Sequence, residues 1–323
     1  MLSAFDYIRP DTLKDVLKYL AESGSLVHAG GTDLMGCLRD HIFEAERVVS
    51  LSRLNALKGI KKNSEGGLTI GALTTLTEVA ESPEVTSMYP GLAKAASEVA
   101  SPQLRNQGTI GGNLCQRPRC WYFRGDFHCL KKGGSNCFAQ AGENQFHCIF
   151  GGSNCLFVHP SDTAPALAAL DAVIHVVGPE GNRQVKVDAF YVLPDDDPTR
   201  ETVLKQGEVV IGVTLPPPAT GLKSSYRKVR ARRSWDFALA GVALAMVFDG
   251  PTVKQARVFL SGAAPMPWRS REVEEVIVGQ RLDEATIAKA SEAVVKNAEP
   301  LDKNGYKIPL FKGVIREELQ AIA

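Results

Sequence analysis

Apolar residues recur at helical spacing near the beginning of the chain. Leu13, Val16, Leu17 and Leu20 fall on one face of a helix, and Thr12 is a suitable cap for its first turn. The pattern predicts a short amphipathic helix as the first clear element.

Two short apolar runs follow this helix, and both have the length of strands. They cover residues 26–28 and 47–51, and a glycine-containing turn at residues 29–33 follows the first of them. The order helix, strand, turn, strand predicts a small mixed lobe at residues 1–57.

A second lobe is predicted at residues 58–218, with one irregular insertion. The insertion covers residues 115–160, where neither a helical nor a strand period survives and Gly, Asn, Cys and His dominate. A compact domain seldom contains so long a structureless loop without a functional reason. The predicted strands of this lobe cover residues 68–70, 173–177, 184–187 and 209–215, and its predicted helices cover residues 75–82, 90–100 and 161–170.

The remaining residues, 219–323, have a different order of elements. Three strand patterns come first, and the last two are joined by Asp249-Gly250, a dipeptide typical of hairpin turns. Helical patterns then follow, which favours an α+β domain with a three-stranded antiparallel sheet and helices. The strands are predicted at residues 226–229, 241–248 and 253–261, and the helices at residues 270–278, 283–297 and 310–322.

Two Gly-Gly turns are the first candidates for chemistry. The first glycine turn is residues 29–34, Ala-Gly-Gly-Thr-Asp-Leu, and the second glycine turn is residues 109–114, Thr-Ile-Gly-Gly-Asn-Leu. Glycine lets successive N–H groups converge on a phosphate oxygen, while Thr32 and Asn113 add side-chain hydrogen-bonding groups. Neither turn fits the Rossmann or P-loop pattern, and each alone is equally well explained as an ordinary tight turn. One such turn in each lobe favours a nucleotide pyrophosphate held between the lobes.

The insertion also concentrates the cysteines. Six of the seven cysteines lie between Cys115 and Cys155, which favours metal ligation over a disulfide framework in a chain without an export signal. The spacing matches neither a ferredoxin nor a zinc ribbon, so an iron–sulfur cluster, a structural zinc and unligated buried thiols all stay open. Cys37 and Cys115 are expected to be small core residues. The nearby histidines are expected at the surface or behind the ligands: His128, His147 and His159.

Charge and hydropathy exclude several other functions. Lys and Arg number 37 against 36 acidic residues, with no basic run, so nucleic acid is not an expected partner. No apolar run has the length of a membrane span, and the N-terminus does not have the form of a secretory signal. The expected location is the cytoplasm, with the periplasm as the alternative if a partner subunit carries the export signal.

Both glycine turns resemble the FAD motifs of the medium subunits of the xanthine dehydrogenase family of molybdenum hydroxylases. That family includes carbon monoxide dehydrogenase, 4-hydroxybenzoyl-CoA reductase and bacterial aldehyde oxidoreductases, and the resemblance extends over essentially the whole chain. It implies a two-lobed FAD-binding domain of the PCMH/CO dehydrogenase flavoprotein type, followed by an α+β domain. Further segments that resemble the family are residues 101–107 (Ser-Pro-Gln-Leu-Arg-Asn-Gln), 158–162 (Val-His-Pro-Ser-Asp), 226–230 (Tyr-Arg-Lys-Val-Arg) and 235–241 (Trp-Asp-Phe-Ala-Leu-Ala-Gly).

The resemblance implies a set of FAD-binding residues. The glycine turns correspond to the pyrophosphate site, the aspartate of segment 158–162 to a nucleotide contact, and segment 235–241 to the surroundings of the isoalloxazine. Lys228 is expected near the flavin ring, and the alternative for it is a solvated lysine on a strand. The implied residues are Ala29, Gly30, Gly31, Thr32, Asp33, Leu34, Thr109, Gly111, Gly112, Asn113, Asp162, Lys228, Phe237 and Leu239.

The insertion resembles the loop that carries a 4Fe–4S cluster in the hydroxybenzoyl-CoA reductases and in one branch of aldehyde oxidoreductases. Residues 103–107, 116–120 and 267–269 are more similar to the aldehyde oxidoreductase branch. Cys148 occupies a position that is usually apolar or small in that loop and is left outside the ligand set. The ligands that the resemblance implies are Cys120, Cys129, Cys137 and Cys155.

The implied function is electron transfer. A large partner subunit would hold the molybdenum cofactor, a small partner would hold 2Fe–2S clusters, and this chain would pass electrons through FAD to an external acceptor, with the protein positioning and tuning the cofactors. Two other classes stay open. One is a self-contained flavin oxidoreductase with its own substrate pocket, and the other is a zinc-stapled assembly module without a redox role.

Overall fold

Three β-sheets and the helices packed on them organise the chain, and a computed structural model describes residues 2–323. The first sheet is parallel, in the order β1-β3-β2. The predicted helix α1 forms, and the Thr12 hydroxyl accepts a hydrogen bond from the N–H of Asp15 at 3.1 Å, as a cap does. The first-lobe elements are β1 (Asp6–Ile8), α1 (Leu13–Leu20), β2 (Ser25–His28), α2 (Leu34–Arg39) and β3 (Arg47–Ser50).

The second sheet is antiparallel and has five strands in the order β4-β5-β8-β6-β7. Its apolar face is covered by helices rich in alanine, which permit close approach. The strands are β4 (Ile60–Lys62), β5 (Leu68–Gly71), β6 (Val173–Gly178), β7 (Gly181–Lys186) and β8 (Val209–Leu215), and the helices are α3 (Leu76–Glu81), α4 (Pro83–Met88), α5 (Pro90–Ser97), α6 (Pro102–Arg105), α7 (Ile110–Leu114) and α9 (Thr163–Ala169).

The insertion contains one short helix, α8 (Trp121–Arg124), and two single helical turns at Leu130–Lys132 and Phe138–Gln140. The remaining residues of the insertion are held by ion pairs and hydrogen bonds and do not pack through a periodic apolar face. The buried Lys131 ammonium lies 2.9 Å from Glu201 and donates to the carbonyl of Pro198 at 3.0 Å. The insertion is therefore ordered, and it is attached to residues 198–201, although its sequence has no period.

The third sheet is antiparallel, in the order β12-β11-β10-β9. The expected three strands are present, but the two-residue strand β12 adds a fourth at the edge. Two residues are too few to show an alternating pattern, so the sequence did not indicate it. The elements are β9 (Leu222–Val229), β10 (Ala240–Asp249), β11 (Thr252–Ser261), β12 (Trp268–Arg269), α10 (Arg271–Ile277), α11 (Glu284–Ala293) and α12 (Lys307–Ile322).

Helix α5 joins the second lobe to the third sheet. The N–H of Gly91 donates to the Ser224 hydroxyl at 3.1 Å, and a Cβ at Gly91 would lie 2.9 Å from the backbone nitrogen of Ser225. This close approach fixes the third sheet beside the helices that carry the second glycine turn, and the α+β class is confirmed. Within residues 2–323, no helix is both long enough and apolar enough to pass through a bilayer.

Candidate functional site

A cavity of about 1070 Å³ lies where the three parts of the chain meet. Ligand pockets usually occupy about 300–1,000 Å³, so this one has room for a large cofactor. It is bordered by residues of both glycine turns, by Asp162 and Lys228, and by Phe237 from the third part of the chain. Of the site residues that the sequence implied outside the turns, Leu239 alone is not on its wall.

The first glycine turn presents unpaired backbone donors to this cavity. Within residues 2–323, the N–H groups of residues 30–33 donate no hydrogen bond. Gly31 has φ of 72°, a conformation that glycine adopts without strain. A Cβ at Gly30 would overlap the carbonyl of Gln107, so only glycine fits there. Adjacent unpaired N–H groups of this kind form an anion-binding concavity.

The second glycine turn is arranged differently, because its N–H groups are used within the fold. Thr109 caps α7 and accepts with both its hydroxyl and its carbonyl oxygen. A Cβ at Gly111 would lie 2.9 Å from the Cβ of Ala72, so this glycine permits close packing. The donors and their acceptors are Ile110 to the Thr74 carbonyl at 2.9 Å, Gly111 to the Ala72 carbonyl at 3.0 Å, Gly112 to the Thr109 hydroxyl at 3.1 Å and Asn113 to the Thr109 carbonyl at 2.8 Å.

The Asn113 side chain is also engaged. Its Oδ1 accepts hydrogen bonds from the hydroxyls of Ser161 and Thr163, both at 2.6 Å, and its amide donates to Gln116 at 3.3 Å. The sequence analysis expected this side chain to offer hydrogen-bonding groups to the ligand. In the structure it joins α7 to the beginning of α9.

Asp162 and Lys228 form a buried ion pair at the wall of the cavity. The Lys228 ammonium lies 2.7 Å from the Asp162 carboxylate, and the Tyr226 hydroxyl donates to the same carboxylate at 2.7 Å. The Lys228 side chain is 0% exposed, so its interpretation as a solvated strand lysine is wrong. Burial raises the pKa of Asp162 against the opposing charge of Lys228.

The carboxylate of Asp33 is held by the start of the insertion. It accepts a hydrogen bond from the N–H of Arg117 at 2.8 Å and from the guanidinium of Arg124 at 2.8 Å, and it also pairs with Arg119. Burial alone would raise the pKa of Asp33, but the charges of Arg119 and Arg124 outweigh it and lower this pKa. The three arginines border the large cavity and were not identified from the sequence. Two of them, Arg117 and Arg119, belong to a local run, Arg-Pro-Arg at residues 117–119, which does not by itself indicate a site.

The four cysteines that the resemblance selected border one small cavity of about 10 Å³, and Cys148 lies outside it. The Cys155 thiol donates a hydrogen bond to the Cys137 sulfur, which lowers the pKa of Cys137 to about 6. Burial raises the pKa of Cys120 to about 11. Within residues 2–323, no three Cys, His, Asp or Glu side chains stand in a metal-holding arrangement. The fold nevertheless brings together a set of donors that is typical of an iron–sulfur or zinc site.

The other cysteines and histidines near the insertion have mixed environments. Cys37 is buried, as expected for a small core residue, whereas Cys115, for which the same was expected, is only partly buried and borders the large cavity. Cys148 is buried as well. His147 lies behind the cysteines, with Nε2 at 3.3 Å from the Cys120 sulfur. His159 is buried and packs against Tyr191, whereas His128 is exposed.

A third cavity, of about 360 Å³, has wall residues in common with both of these cavities. It shares Asp162 and Phe237 with the large cavity and Cys120 with the small one, and Leu239 lies on its wall. The candidate flavin and cluster residues therefore lie on the walls of neighbouring cavities.

Two protein families match the chain. Residues 3–218 match the family described as FAD binding domain in molybdopterin dehydrogenase. Residues 224–313 match the family described as CO dehydrogenase flavoprotein C-terminal domain. Together the two matches confirm the resemblance that the glycine turns indicated.

Individual relatives agree with these matches. The chain is 37% identical over 327 residues to the aldehyde oxidoreductase FAD-binding subunit PaoB of Escherichia coli (strain K12), with 98% of each chain covered. It is 27% identical over 324 residues to the carbon monoxide dehydrogenase medium chain of Hydrogenophaga pseudoflava, with 98% of this chain and 96% of that one covered. Its fold is similar to a solved structure of carbon monoxide dehydrogenase from Hydrogenophaga pseudoflava, with a TM-score of 0.79, 25% identity, and 100% of this chain and 98% of that one covered. The chain therefore belongs to the FAD-binding subunits of the molybdenum hydroxylase family, and it is an oxidoreductase subunit.

Proposed function

We propose that the chain is the FAD-carrying electron-transfer subunit of a heteromeric, molybdenum-containing aldehyde oxidoreductase. A large subunit would hold the molybdenum cofactor, a small subunit would hold 2Fe–2S clusters, and electrons would leave through an external acceptor. The observation that carries the proposal is the large cavity bordered by both glycine turns and by the Asp162–Lys228 pair. The relative at 37% identity, whose name is that of an aldehyde oxidoreductase FAD-binding subunit, supports the choice of reaction.

The hydrogen bonding of the flavin-site residues supports the following roles for them. The unpaired N–H groups of the first glycine turn bind the pyrophosphate, and the second glycine turn forms the wall opposite. Asp162 and Lys228 provide a polar group at the wall, and Phe237 and Leu239 provide the apolar side nearer the third cavity. Bound FAD supplies the capacity to exchange one or two electrons, while the protein positions it and excludes water.

We further propose that the insertion ligates a 4Fe–4S cluster through Cys120, Cys129, Cys137 and Cys155. Their position around one cavity supports the assignment, as does Cys120, which borders both the small cavity and the third cavity. Aromatic side chains around the thiols limit the access of water, which is one way that a protein tunes a cluster potential.

The lobes are proposed to be residues 1–57, residues 58–218 with the insertion at 115–160, and residues 219–323. A cytoplasmic location is proposed as well, because reduced thiols suit cluster assembly there.

An anaerobic absorption spectrum of the purified chain, recorded before and after dithionite, tests both cofactors. We expect flavin bands on a broad background that dithionite bleaches, together with about four iron atoms per chain. Stoichiometric zinc without iron would contradict the cluster and leave the flavin. A chain that binds no flavin would contradict the proposed function itself.

Matched cysteine variants sharpen the test. Cys137→Ser removes a proposed ligand, and we expect it to lose the bleachable background while it retains the flavin bands. Cys148→Ala removes a buried cysteine outside the small cavity, and we expect it to keep both signals. Equal iron content in the two variants would contradict the ligand assignment.

A further inference from the structure

The insertion supplies an excess of positive charge beside the first glycine turn. Two carboxylates are shared among four cations: Asp33 pairs with Arg119 and Arg124, and Glu201 pairs with Arg117 and Lys131. The group therefore keeps two unmatched positive charges, and all four cations border the large cavity. Uncompensated charge of this kind at a partly buried site is stabilised by an anionic ligand.

Arg124 and Arg119 use their guanidinium groups differently. Every nitrogen of Arg124 donates within the fold: Nε to the Pro118 carbonyl at 2.7 Å, Nη1 to the Cys37 sulfur at 2.7 Å, and Nη2 to Asp33 at 2.8 Å and to the Arg117 carbonyl at 3.2 Å. Its role is to position the Asp33 carboxylate.

Arg119 retains free donors. Within residues 2–323 only its Nη1 donates hydrogen bonds, to Asp33 and to the Arg117 carbonyl, so Nε and Nη2 stay free. Its guanidinium also lies 5.2 Å from the ring centroid of Phe237, and its side chain is 26% exposed. Arg119 borders both the large cavity and the third cavity. Its ion pair with Asp33, which is part of the first glycine turn, places Arg119 beside that turn.

We propose that Arg119 binds the pyrophosphate of FAD, so that the cysteine-rich insertion completes the flavin site. This inference rests on the proposed function. The first glycine turn offers only uncharged N–H groups, whereas a pyrophosphate diester carries two negative charges and the guanidinium fork matches phosphate oxygens. The insertion and the flavin are then thermodynamically coupled: FAD stabilises the folded insertion, and a disordered insertion weakens FAD binding by the same factor.

The test is a titration of the flavin-depleted full chain with FAD and, separately, with riboflavin, which has no phosphate. We expect Arg119→Gln to weaken FAD binding roughly 10- to 100-fold and to leave riboflavin binding unchanged. The FAD dissociation constant of the variant also depends less on salt than that of the native chain. Arg316→Gln is the matched control, because Arg316 is half-exposed on α12 and pairs with Glu284 at 3.2 Å; its FAD binding should equal that of the native chain.

The Arg119→Lys variant separates the effect of the positive charge from the effect of the guanidinium geometry. It keeps the positive charge without the fork, so we expect an FAD affinity between those of the native chain and Arg119→Gln. If Arg119→Gln loses equal affinity for FAD and for riboflavin, or if the salt dependence of its FAD binding is unchanged, then Arg119 only stabilises the fold. Either result would overturn the inference. If the native chain binds FAD and the Arg119→Gln variant binds it equally tightly, the inference is overturned while the proposed function stands. If the native chain binds no FAD, the proposed function is overturned, and the inference that rests on it is overturned as well.

Discussion

The two glycine turns have almost the same sequence pattern and opposite uses of their backbone. The first presents four N–H groups that donate to no acceptor within residues 2–323, and arginines border the same cavity. In the second, the N–H groups of residues 110–113 all have acceptors within the fold. The first turn is suited to bind an anion, whereas the second is suited to hold two elements close together.

The neighbours of each turn explain the difference. The second turn begins α7, whose first N–H groups reach carbonyls of residues 72–74 and the Thr109 cap. The first turn leaves strand β2 at the edge of a three-stranded sheet, where no strand follows to receive its donors. A Gly-Gly motif therefore indicates close backbone approach, and the surrounding chain decides whether a ligand or another element approaches.

The largest effect is expected from Gly30→Ala in the first turn. The added Cβ would overlap the Gln107 carbonyl, so the first turn must move away from the segment that precedes the second. We expect loss of most bound FAD, measured as the ratio of flavin to protein after purification. Gly313→Ala is the control, because a Cβ there meets no atom within 4 Å, and it should keep the native ratio. Native flavin content in Gly30→Ala would mean that the first turn does not hold the cofactor.

Asn113→Ala tests the structural role of the second turn. Its removal leaves the buried hydroxyls of Ser161 and Thr163 without their acceptor, which costs about 2–4 kcal/mol of the free energy of unfolding. Urea denaturation of the flavin-free chain measures this loss, and a double-mutant cycle with Ser161→Ala isolates the pair. If Asn113 instead serves only the ligand, the flavin-free variant will be as stable as the native chain.

The sequence predicted most of the fold. Helix α1, the long strands of the second and third sheets and the last helices all carry strong periods, and these appear with ends that differ by a few residues. The three-residue strand β1 and the two-residue strand β12 were missed because such short elements show no alternation. Helix α7 was missed because its residues 111–112 are the glycines of a turn.

The candidate site could be predicted only in part. The glycine turns and the four cysteines are visible as local motifs, and the structure places each set around one cavity. The hydrogen-bonding state of each turn depends on distant residues, as does the ion pair between Asp33 and Arg119, which are 86 positions apart. No local pattern reports such a pair, so the arginines became visible only in the folded chain.

A smaller effect is expected from Gly111→Ala, which tests close packing in the second turn. The new Cβ would lie 2.9 Å from the Cβ of Ala72 and 3.0 Å from its carbonyl oxygen, and we expect a loss of about 1–3 kcal/mol of the free energy of unfolding. In Gly112→Ala the Cβ meets only the Thr109 hydroxyl at 3.1 Å, so its loss should be below about 1 kcal/mol. The comparison uses the flavin-free proteins. Equal stability of the two variants would remove the packing explanation.

The effect that is smallest near neutral pH concerns acid stability and His159, which lies buried beside Leu114 of α7. Burial lowers the pKa of His159 to about 3 from its ordinary value of 6.5, so the unfolded chain takes up this proton before the native chain does. The stabilising contribution is complete above pH 6.5 and is lost as the pH falls towards 3; at pH 5 the loss is roughly 2 kcal/mol. Urea unfolding at pH 7 and pH 5 should therefore show a smaller difference for His159→Gln than for the native chain. If both proteins lose the same free energy between these two pH values, His159 does not stay neutral in the folded state, and the second turn is more accessible to water than its hydrogen bonding indicates.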